Sequence, residues 1–182
     1  KEGIFARVLK GGEMRAGDKL TYKKKTWRAG VITLSDRAFE GEYKDLSGPL
    51  AEELMGKWFS ETKRSLSCDY KLLPDNPQML ETEIRRMVSE GHEIIITTGG
   101  TGIGPRDFTP DVVKPLLDKE IPGIMDYIRL KYGAEKPNAL LSRSIAGVSG
   151  KSLIFVLPGS VKAVKEYMSE ILPMLNHLFA MM

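Results

Sequence analysis

The residues best suited to chemistry form one glycine-rich run at positions 97–111, with the sequence TTGGTGIGPRDFTPD. Glycines let a backbone approach an anion closely, and consecutive amide N–H groups can form a phosphate-binding nest. Asp107 and Asp111 add carboxylates, which would repel a bare phosphate, so the combination makes sense if Mg²⁺ bridges them. Thr109 is predicted to cap a helix, with Pro110 at its first position. A short Gly-Gly pair alone would indicate a tight turn, but a motif of this length favours a functional loop.

Four shorter polar motifs lie next to predicted strands and helices. Ser160 is predicted to cap the last helix, where free backbone amides attract an anionic group. Arg143 carries the guanidinium that pairs readily with a phosphate. Each motif alone is typical of an ordinary turn, but their expected positions along one edge of a sheet favour a shared site. The motifs are Ser35-Asp36-Arg37, Pro74-Asp75, Leu141-Ser142-Arg143 and Leu157-Pro158-Gly159-Ser160.

Two common nucleotide-binding motifs are excluded by spacing. Gly150-Lys151-Ser152 resembles the end of a P-loop, but that motif needs a glycine five residues earlier, where this chain has Ile145. The same tripeptide also leads into a predicted strand, whereas a P-loop leads into a helix. The glycines at 100–104 lack the spacing of a dinucleotide fingerprint. Any nucleotide site in this chain is therefore of another type.

The elements that must position these motifs alternate between strand and helix. Short apolar runs rich in β-branched residues predict buried strands, and apolar residues at helical spacing predict helices. Such an alternation predicts an α/β fold of three layers, α/β/α, with a mainly parallel sheet whose carboxyl-end loops carry the ligands. Strands are predicted at 30–35, 70–73 and 93–98, a hairpin at 143–157, and helices at 47–59, 77–90, 110–118, 121–131 and 160–179.

Residues 1–29 differ from the rest of the chain in their pattern of apolar, glycine and basic residues. Strands are predicted at 3–9 and 18–22, with a turn at Gly11-Gly12. Two strands cannot form a hydrophobic core by themselves, so this segment must pack against another part of a protein. The basic run Lys23-Lys24-Lys25 is typical of a solvated linker, with phosphate binding as the alternative. We therefore divide the chain into a short segment, 1–29, and a domain, 30–182, and expect that deleting 1–29 spares activity.

The composition suits one compact α/β domain and excludes several classes of protein. The 182 residues carry a net charge of +3, too small to imply nucleic-acid binding by itself. No apolar stretch is long enough for a membrane span, and no signal peptide opens the chain. The single cysteine, Cys68, is expected to be a packing residue in a reducing, cytoplasmic setting. His92 and His177 are expected to be surface or cap residues, and no Cys/His cluster indicates zinc.

Taken together, the run at 97–111 and the four shorter motifs resemble the MogA/MoaB family of molybdenum-cofactor proteins, and the G domain of gephyrin is similar. The resemblance covers roughly residues 29–179 in motif order and spacing. It implies a molybdopterin-binding fold. It also implies an adenylyltransferase that transfers AMP from ATP to the terminal phosphate of molybdopterin and releases pyrophosphate. A homotrimer is implied as well, and so is a partner protein that inserts the metal.

The same resemblance implies roles for individual residues. Asp75 and Asp107 would be the catalytic acidic pair that holds Mg²⁺ and the phosphates of ATP. The turn at 99–102 would cradle a phosphate, and the other motifs would line or border the ligands. The residues implied in substrate binding are Ser35, Asp36, Thr98, Gly99, Gly100, Thr101, Gly102, Thr109, Asp111, Ser142, Arg143, Pro158, Gly159 and Ser160.

Two features depart from the family pattern. Ser160 stands where many relatives have asparagine or glutamine, so a contact that needs an amide would be lost. Residues 1–29 lie outside the match and resemble the closing segment of a MOSC domain, on the strength of residues 3–6 and Gly17-Asp18. That resemblance implies that the chain is a piece of a longer two-domain protein, or a fusion cut within a domain.

Two other functions fit the same fold. The first is a scaffold protein that binds the pterin without catalysis, because fold alone does not separate binding from turnover. The second is a hydrolase that processes another nucleotide or pterin compound. Turnover that needs pterin, ATP and Mg²⁺ together would distinguish the adenylyltransferase from both.

Overall fold

A computed structural model describes residues 11–13, 15–19 and 25–182 of the chain. The strand predicted at 3–9 lies outside these residues, and so does most of the strand predicted at 18–22. The division of the chain after residue 29 and the MOSC-like character of the first segment therefore stay predictions. No helix in the described ranges combines the length and apolar character needed to cross a membrane.

Strands and helices alternate along the described chain, as the sequence predicts. The strands are β1 (Thr26–Leu34), β2 (Ser65–Leu73), β3 (Ile94–Thr98), β4 (Lys119–Glu120), β5 (Ala146–Ser149) and β6 (Ser152–Leu157). The α-helices are α1 (Asp36–Phe39), α2 (Ser47–Glu61), α3 (Pro77–Ser89), α4 (Thr109–Val113), α5 (Pro122–Gly133) and α6 (Val161–Met181). Two 3₁₀ helices cover Lys114–Leu116 and Pro137–Leu141.

The strands form one six-stranded sheet in the order β2-β1-β3-β6-β5-β4. The pairs β2–β1, β1–β3 and β3–β6 are parallel, and the pairs β6–β5 and β5–β4 are antiparallel. The expectation of a mainly parallel sheet is confirmed. Because β1, β3 and β6 are adjacent and parallel, the loops after their last residues emerge side by side at one edge of the sheet.

Two apolar layers cover the two faces of the sheet. Val31 and Ile96 point into a core formed with helices α2, α5 and α6, whereas Ile32 and Ile95 point into a core formed with α3 and α4. Side chains alternate between the faces of a strand, so strands buried on both faces read as continuous apolar runs. Full burial of each such side chain contributes about 1.5–3 kcal/mol. These cores hold rigid the sheet edge that carries the polar loops.

Strands β1 and β2 both extend further toward the N-terminus than the apolar runs indicate. Strand β1 begins at Thr26, and Trp27 stacks on Phe179 of α6 with ring centroids 4.0 Å apart. Strand β2 begins at Ser65 and is half exposed along most of its length. Both segments are mixed in polarity because one lies at the end of the sheet and the other at its lateral edge, where burial is partial.

The helix predicted at 110–118 is shorter than expected. Helix α4 ends at Val113 and gives way to a 3₁₀ turn that contains Pro115. Proline lacks a backbone N–H and clashes with the preceding turn, so it disfavours continuation of the α-helix. The two residues of β4 that follow, Lys119 and Glu120, pair with β5 and were not predicted.

Candidate active site

The loops at the carboxyl ends of the parallel strands surround a cavity of about 590 Å³. Each of the strands β1, β2, β3 and β6 contributes at least one loop residue to its wall. Of the residues singled out from the sequence, the wall contains Ser35, Asp75, Gly100, Asp107, Gly159 and Ser160. It also contains residues that the sequence did not indicate: Thr33, Tyr43, Lys44, Asp45, Ser47, Arg106 and Val161.

Asp36 and Asp75 bind each other's backbone across two loops. The Asp75 N–H donates to Asp36 Oδ1 at 2.7 Å, and the Asp36 N–H donates to Asp75 Oδ2 at 3.3 Å. Ser35 caps α1 by accepting from the Ala38 N–H at 3.2 Å. These bonds join the loop after β1 to the loop after β2 and fix the direction of both carboxylates.

The carboxylate of Asp75 stands in an environment that disfavours its charge. Burial raises the pKa of Asp75 above its usual value, and the negative charges of Asp36 and Asp107 add to the rise. The backbone hydrogen bond with Asp36 and the Arg106 guanidinium oppose it without cancelling it. A carboxylate crowded in this way gains from a divalent cation, which supplies the positive charge that its surroundings lack.

The acidic residues of this edge fit an open Mg²⁺ site rather than a closed protein cage. Within the described ranges, one group of three side chains that can bind a metal has ligand atoms that all lie within 4.8 Å of one another. That group is Asp69, Glu90 and His92, away from this edge of the sheet. Mg²⁺ is usually held by one or two carboxylates together with substrate phosphates and waters. Asp75 and Asp107 can provide that partial set of ligands.

The glycine loop wraps tightly around Asp107 and the strand ends. Gly99 and Gly100 adopt φ values of +103° and +62°, a region that side chains rarely tolerate. A Cβ at Gly99 would lie 2.5 Å from the Leu34 carbonyl oxygen, so no side chain fits. The Gly104 N–H donates to Asp107 Oδ2 at 2.9 Å. The loop therefore holds the Asp107 carboxylate at the cavity wall through backbone contacts.

The turn Pro158-Gly159-Ser160 lies beside the glycine loop. Ser160 caps α6 by accepting from the Ala163 N–H at 3.2 Å, which confirms the predicted cap. The first backbone N–H groups of a helix have no partner within it, so those of α6 can bind an anion at the cavity. A Cβ at Gly159 would lie 3.1 Å from Gly99 Cα, so the two loops are in close contact.

Arg143 supports the glycine loop from outside the cavity. Its Nε donates to the Gly102 carbonyl at 2.7 Å, one terminal nitrogen donates to both Asp111 oxygens at 2.9 Å, and the other donates to the Asp107 carbonyl. The guanidinium that we expected to pair with a phosphate is thus engaged by protein groups. Asp111 is likewise paired with Arg143 rather than directed at the cavity.

Four further residues singled out from the sequence lie beneath or behind the loop. Thr98 is buried and its hydroxyl donates to Thr33 at 3.2 Å, while Ser142 and Thr101 hydroxyls lie 3.4 Å apart. The prediction that Thr109 caps α4 is wrong, because Phe108 holds the cap position and the buried Thr109 hydroxyl has no hydrogen-bond partner. A Cβ at Gly100 would lie 2.4 Å from that hydroxyl oxygen, so the Thr109 side chain packs closely against the glycine loop.

Arg106 and Lys44 are the two basic residues of the cavity wall. Arg106 is 80% exposed, and a terminal nitrogen lies 3.8 Å from Asp36 Oδ2. The Tyr43 hydroxyl lies 2.8 Å from the Ser35 hydroxyl. Residues 43–46 were missed because they precede α2 in a segment without a recognisable motif, and Ser47 was missed because it was expected only to begin that helix. The folded loop brings all of them to the cavity. The presence of arginine within the glycine run was the one available signal for Arg106.

A second polar cluster lies near the opposite ends of the strands and has a structural role. His92 was expected at the surface or in a cap, but it is 1% exposed, and its ring nitrogens contact the Met87 carbonyl at 2.9 Å and Asp69 Oδ2 at 2.7 Å. Arg28 lies 3.5 Å from Asp69 and 3.4 Å from Glu90, so a guanidinium already occupies the space between the carboxylates. The cluster clamps β1, β2 and the end of α3.

The single cysteine lies away from the candidate active site. Cys68 borders a separate cavity of about 400 Å³, and burial raises its pKa to about 12. A thiol with that pKa is protonated at neutral pH and is a poor nucleophile. Its expected role as a packing residue agrees with this environment.

Known proteins share this fold and much of this sequence. The family described as "Probable molybdopterin binding domain" matches residues 30–177. The molybdenum cofactor synthesis protein cinnamon of Drosophila melanogaster is 40% identical over 149 residues, which cover 81% of this chain and 24% of that protein. The molybdopterin adenylyltransferase of Helicobacter pylori is 35% identical over 149 residues, which cover 81% of this chain and 83% of the enzyme.

Solved structures match the fold as well. The crystal structure of the molybdopterin biosynthesis enzyme MoaB from Thermus thermophilus superposes with a TM-score of 0.74 at 37% identity, covering 85% of this chain and 95% of that one. The chain spans about a quarter of the length of the Drosophila relative but most of the length of the bacterial ones.

Proposed function

Since the chain belongs to the MogA/MoaB family of probable molybdopterin binding domains, we propose that it acts in molybdenum cofactor biosynthesis as a molybdopterin adenylyltransferase. The Helicobacter pylori relative with that name supports the proposal, because this chain covers 83% of its length. The observation that carries it is the cavity at the sheet edge, where crowded carboxylates lie beside a glycine loop and the N-terminus of a long helix.

The proposed reaction joins two phosphate groups. A terminal phosphate oxygen of molybdopterin attacks the α-phosphorus of ATP, a new P–O bond forms, and the bond to pyrophosphate breaks as pyrophosphate leaves with the electron pair. Such transfers depend on positioning and charge stabilisation rather than on covalent chemistry by the protein. Mg²⁺, when held by Asp75 and Asp107, supplies positive charge to the phosphates.

Residues of the cavity wall would bind and orient the two substrates. Arg106 and Lys44 would offset the negative charge of the phosphates, and the free amides at the start of α6 would bind one phosphate directly. Ser160 would keep those amides directed at the cavity through its cap of α6. Asp36 would act through Asp75, whose direction it fixes by their reciprocal hydrogen bonds.

The remaining motif residues would act by holding the glycine loop. Arg143 and Asp111 form an ion pair outside the cavity, and Arg143 also binds two loop carbonyls. Their proposed part in substrate binding is therefore indirect. We assign the same supporting role to Thr98, Thr101, Gly102, Thr109 and Ser142, while Ser35, Gly99, Gly100, Pro158 and Gly159 would shape the site itself.

We also propose that the protein assembles into a homotrimer and works in the cytoplasm, passing its product to a partner that inserts the metal. Exposed apolar side chains on two adjacent elements, α5 and the 3₁₀ helix after it, support self-assembly: Tyr127 (47% exposed), Leu130 (68%), Leu140 (50%) and Leu141 (57%). Apolar patches on soluble proteins commonly mark interfaces. Light scattering on the purified protein measures the assembly, and a monomeric mass at micromolar concentration would contradict it.

A turnover assay tests the activity directly. Purified protein is incubated with molybdopterin, ATP and Mg²⁺, and adenylylated pterin and pyrophosphate are followed, with each component omitted in turn. Product that requires all components is expected. Pterin binding without turnover would indicate a scaffold protein, and ATP consumption without pterin would indicate a hydrolase.

A matched pair of variants tests the proposed metal ligands. Asp107→Asn is expected to lower turnover by about 10²–10³-fold while the protein stays folded, because it replaces a carboxylate that would hold Mg²⁺ with a neutral amide. Asp111→Asn makes the same chemical change four residues along, in an ion pair outside the cavity. It is expected to change turnover only a few-fold. Equal effects from the two variants would refute the role assigned to Asp107.

A further inference from the structure

Asp45 is a buried carboxylate in the cavity wall that the proposed chemistry does not use. It is 8% exposed, and none of the ion pairs in the described part of the chain involves it. Burying a carboxylate without a cation is costly unless other groups satisfy it. The Ser47 N–H donates to Oδ1 at 2.9 Å, and the Gly48 N–H and the Tyr70 hydroxyl donate to Oδ2 at 3.1 and 2.7 Å.

These bonds connect Asp45 to the edge strand β2 and to the start of α2. Tyr70 lies on β2, while Ser47 and Gly48 are the first residues of α2. Burial raises the pKa of Tyr70, and Asp45 adds to the rise, so the phenol stays protonated and remains a donor at working pH. The positive N-terminus of the 15-residue helix α2 also favours the carboxylate.

The network continues from Asp45 to the turn that begins α6. The Ser47 hydroxyl donates to the Gly159 carbonyl at 2.6 Å, and Gly159 packs against Gly99. Asp45 therefore holds the Ser47 backbone, and Ser47 holds the turn that lines the cavity.

The packing around Gly48 leaves this network little freedom. A Cβ at Gly48 would lie 2.3 Å from the Thr33 hydroxyl oxygen, 2.4 Å from a Tyr70 ring carbon and 2.7 Å from Asp45 Oδ2. The helix start is thus pressed against both β1 and β2. A shift of Ser47 would move the turn at Gly159 with it.

We propose that Asp45 is a positioning residue: through Ser47 it fixes the turn at 158–160, and thereby the amides of α6 that bind a substrate phosphate. The predicted effect of Asp45 on turnover rests on the proposed function. The predicted effect of Asp45 on the turn at 158–160 does not. The competing role is that of a third Mg²⁺ ligand, and the three hydrogen bonds accepted by Asp45 oppose it, because they engage both carboxylate oxygens.

The test compares Asp45→Ala with Asp45→Asn, Ser47→Ala and a matched control, Asp118→Ala. Asp118 also caps a backbone amide, that of Gly150 at 2.7 Å, but at the turn between β5 and β6 and away from the candidate active site. Amide hydrogen exchange is measured without ligands at Ala163 and Val164, whose N–H groups donate to the Ser160 hydroxyl and the Ser160 carbonyl. Exchange is expected to rise at least about tenfold in Asp45→Ala and Ser47→Ala, and to stay at the wild-type rate in Asp118→Ala.

Kinetics then separate positioning from metal binding. KM for ATP is expected to rise about 10–100-fold in Asp45→Ala, since misplacement by about 1 Å can cost that much. The Mg²⁺ concentration that gives half-maximal rate should stay unchanged. Asp45→Asn should recover part of the loss, because its amide oxygen still accepts from Ser47.

Two results would overturn the proposal. One is wild-type exchange at Ala163 and Val164 in both Asp45→Ala and Ser47→Ala. The other is an altered Mg²⁺ requirement with unchanged exchange, which would make Asp45 a metal ligand. If the wild-type protein shows no turnover, the proposed function fails, and the exchange measurement together with ATP binding by calorimetry still decides the role of Asp45.

Discussion

Two N-terminal truncations that differ by four residues should behave very differently. Strand β1 begins at Thr26, whereas the apolar run that predicted it begins at Gly30. We expect that removal of residues 1–25 leaves turnover unchanged and costs at most about 1 kcal/mol of stability, because Lys25 contributes an exposed ion pair with Glu93 and a contact with the Trp27 ring. Removal of residues 1–29, which the sequence alone suggested would be harmless, should destabilise the domain.

The magnitude follows from what residues 26–29 contact. Trp27 stacks on Phe179 with centroids 4.0 Å apart and lies 6.2 Å from the ring of Phe59. Ala29 is fully buried and pairs with both β2 and β3, while the Arg28 carbonyl accepts from the Glu93 N–H at 2.8 Å. Trp27 is only partly buried, so loss of its side chain alone costs about 2–3 kcal/mol, less than the loss of a fully buried tryptophan. For a chain of this size that corresponds to a fall in Tm of roughly 4–12 °C.

The assay is thermal and urea unfolding of both truncations, with turnover measured at a temperature where each is folded. Trp27→Ala, made in the truncation that lacks residues 1–25, separates the contribution of the ring from that of the strand. If the variant that lacks residues 1–29 unfolds at the same Tm and urea midpoint as the variant that lacks residues 1–25, residues 26–29 do not belong to the folded domain.

Three further predictions concern the charged groups. Asp75→Asn should maintain or raise Tm in metal-free buffer near pH 7 while turnover falls about 10²-fold or more. Because the pKa of Asp75 is raised in the folded state, ionisation of Asp75 lowers the stability of the protein as pH rises through that pKa. Asparagine does not ionise, so the variant lacks this dependence on pH. A Tm below that of the wild type at pH 7 would contradict the prediction. His92→Ala should destabilise by about 2–3 kcal/mol in urea unfolding, because it opens a cavity and removes the bond from the ring to Asp69 of β2, yet turnover per folded molecule should not change. Arg143→Lys should rescue little of the activity lost in Arg143→Ala, since lysine cannot reproduce the guanidinium's simultaneous bonds; full rescue in the kinetic assay would show that only charge matters.

The strands of the sheet were predictable from the sequence because each one is indicated by the residues of its own segment. Residues 94–98 and 153–157 are continuous apolar or β-branched runs, which few structures other than a buried strand can accommodate. The ends of the strands were less predictable, because the burial of Trp27 depends on Phe179, a contact between residues far apart in sequence. The two-residue strand β4 has no signal of its own and exists only through its pairing with β5.

The candidate active site was predictable in part, and the division has a physical reason. Motifs with unusual backbone requirements, such as Gly99 and Gly100, are visible in sequence because only glycine tolerates their φ values. The direction of a side chain is not visible, so Arg143 could be recognised as important without its role in holding the loop. Asp45 and Lys44 lie in a segment whose position depends on the packing of α2, and only the folded chain reveals them.

The charges of the cavity wall explain why substrate binding should depend on a divalent cation. Asp45, Asp75 and Asp107 line the wall against Lys44 and Arg106, an excess of one negative charge. Both proposed substrates are anionic, so their phosphates would enter a site that already repels them. The amides of α6 and the two cations offset part of that repulsion, and a divalent cation held by Asp75 and Asp107 would reverse it. ATP affinity should therefore fall when Mg²⁺ is removed, and it should fall less in Asp107→Asn, where the repelling charge has also been removed.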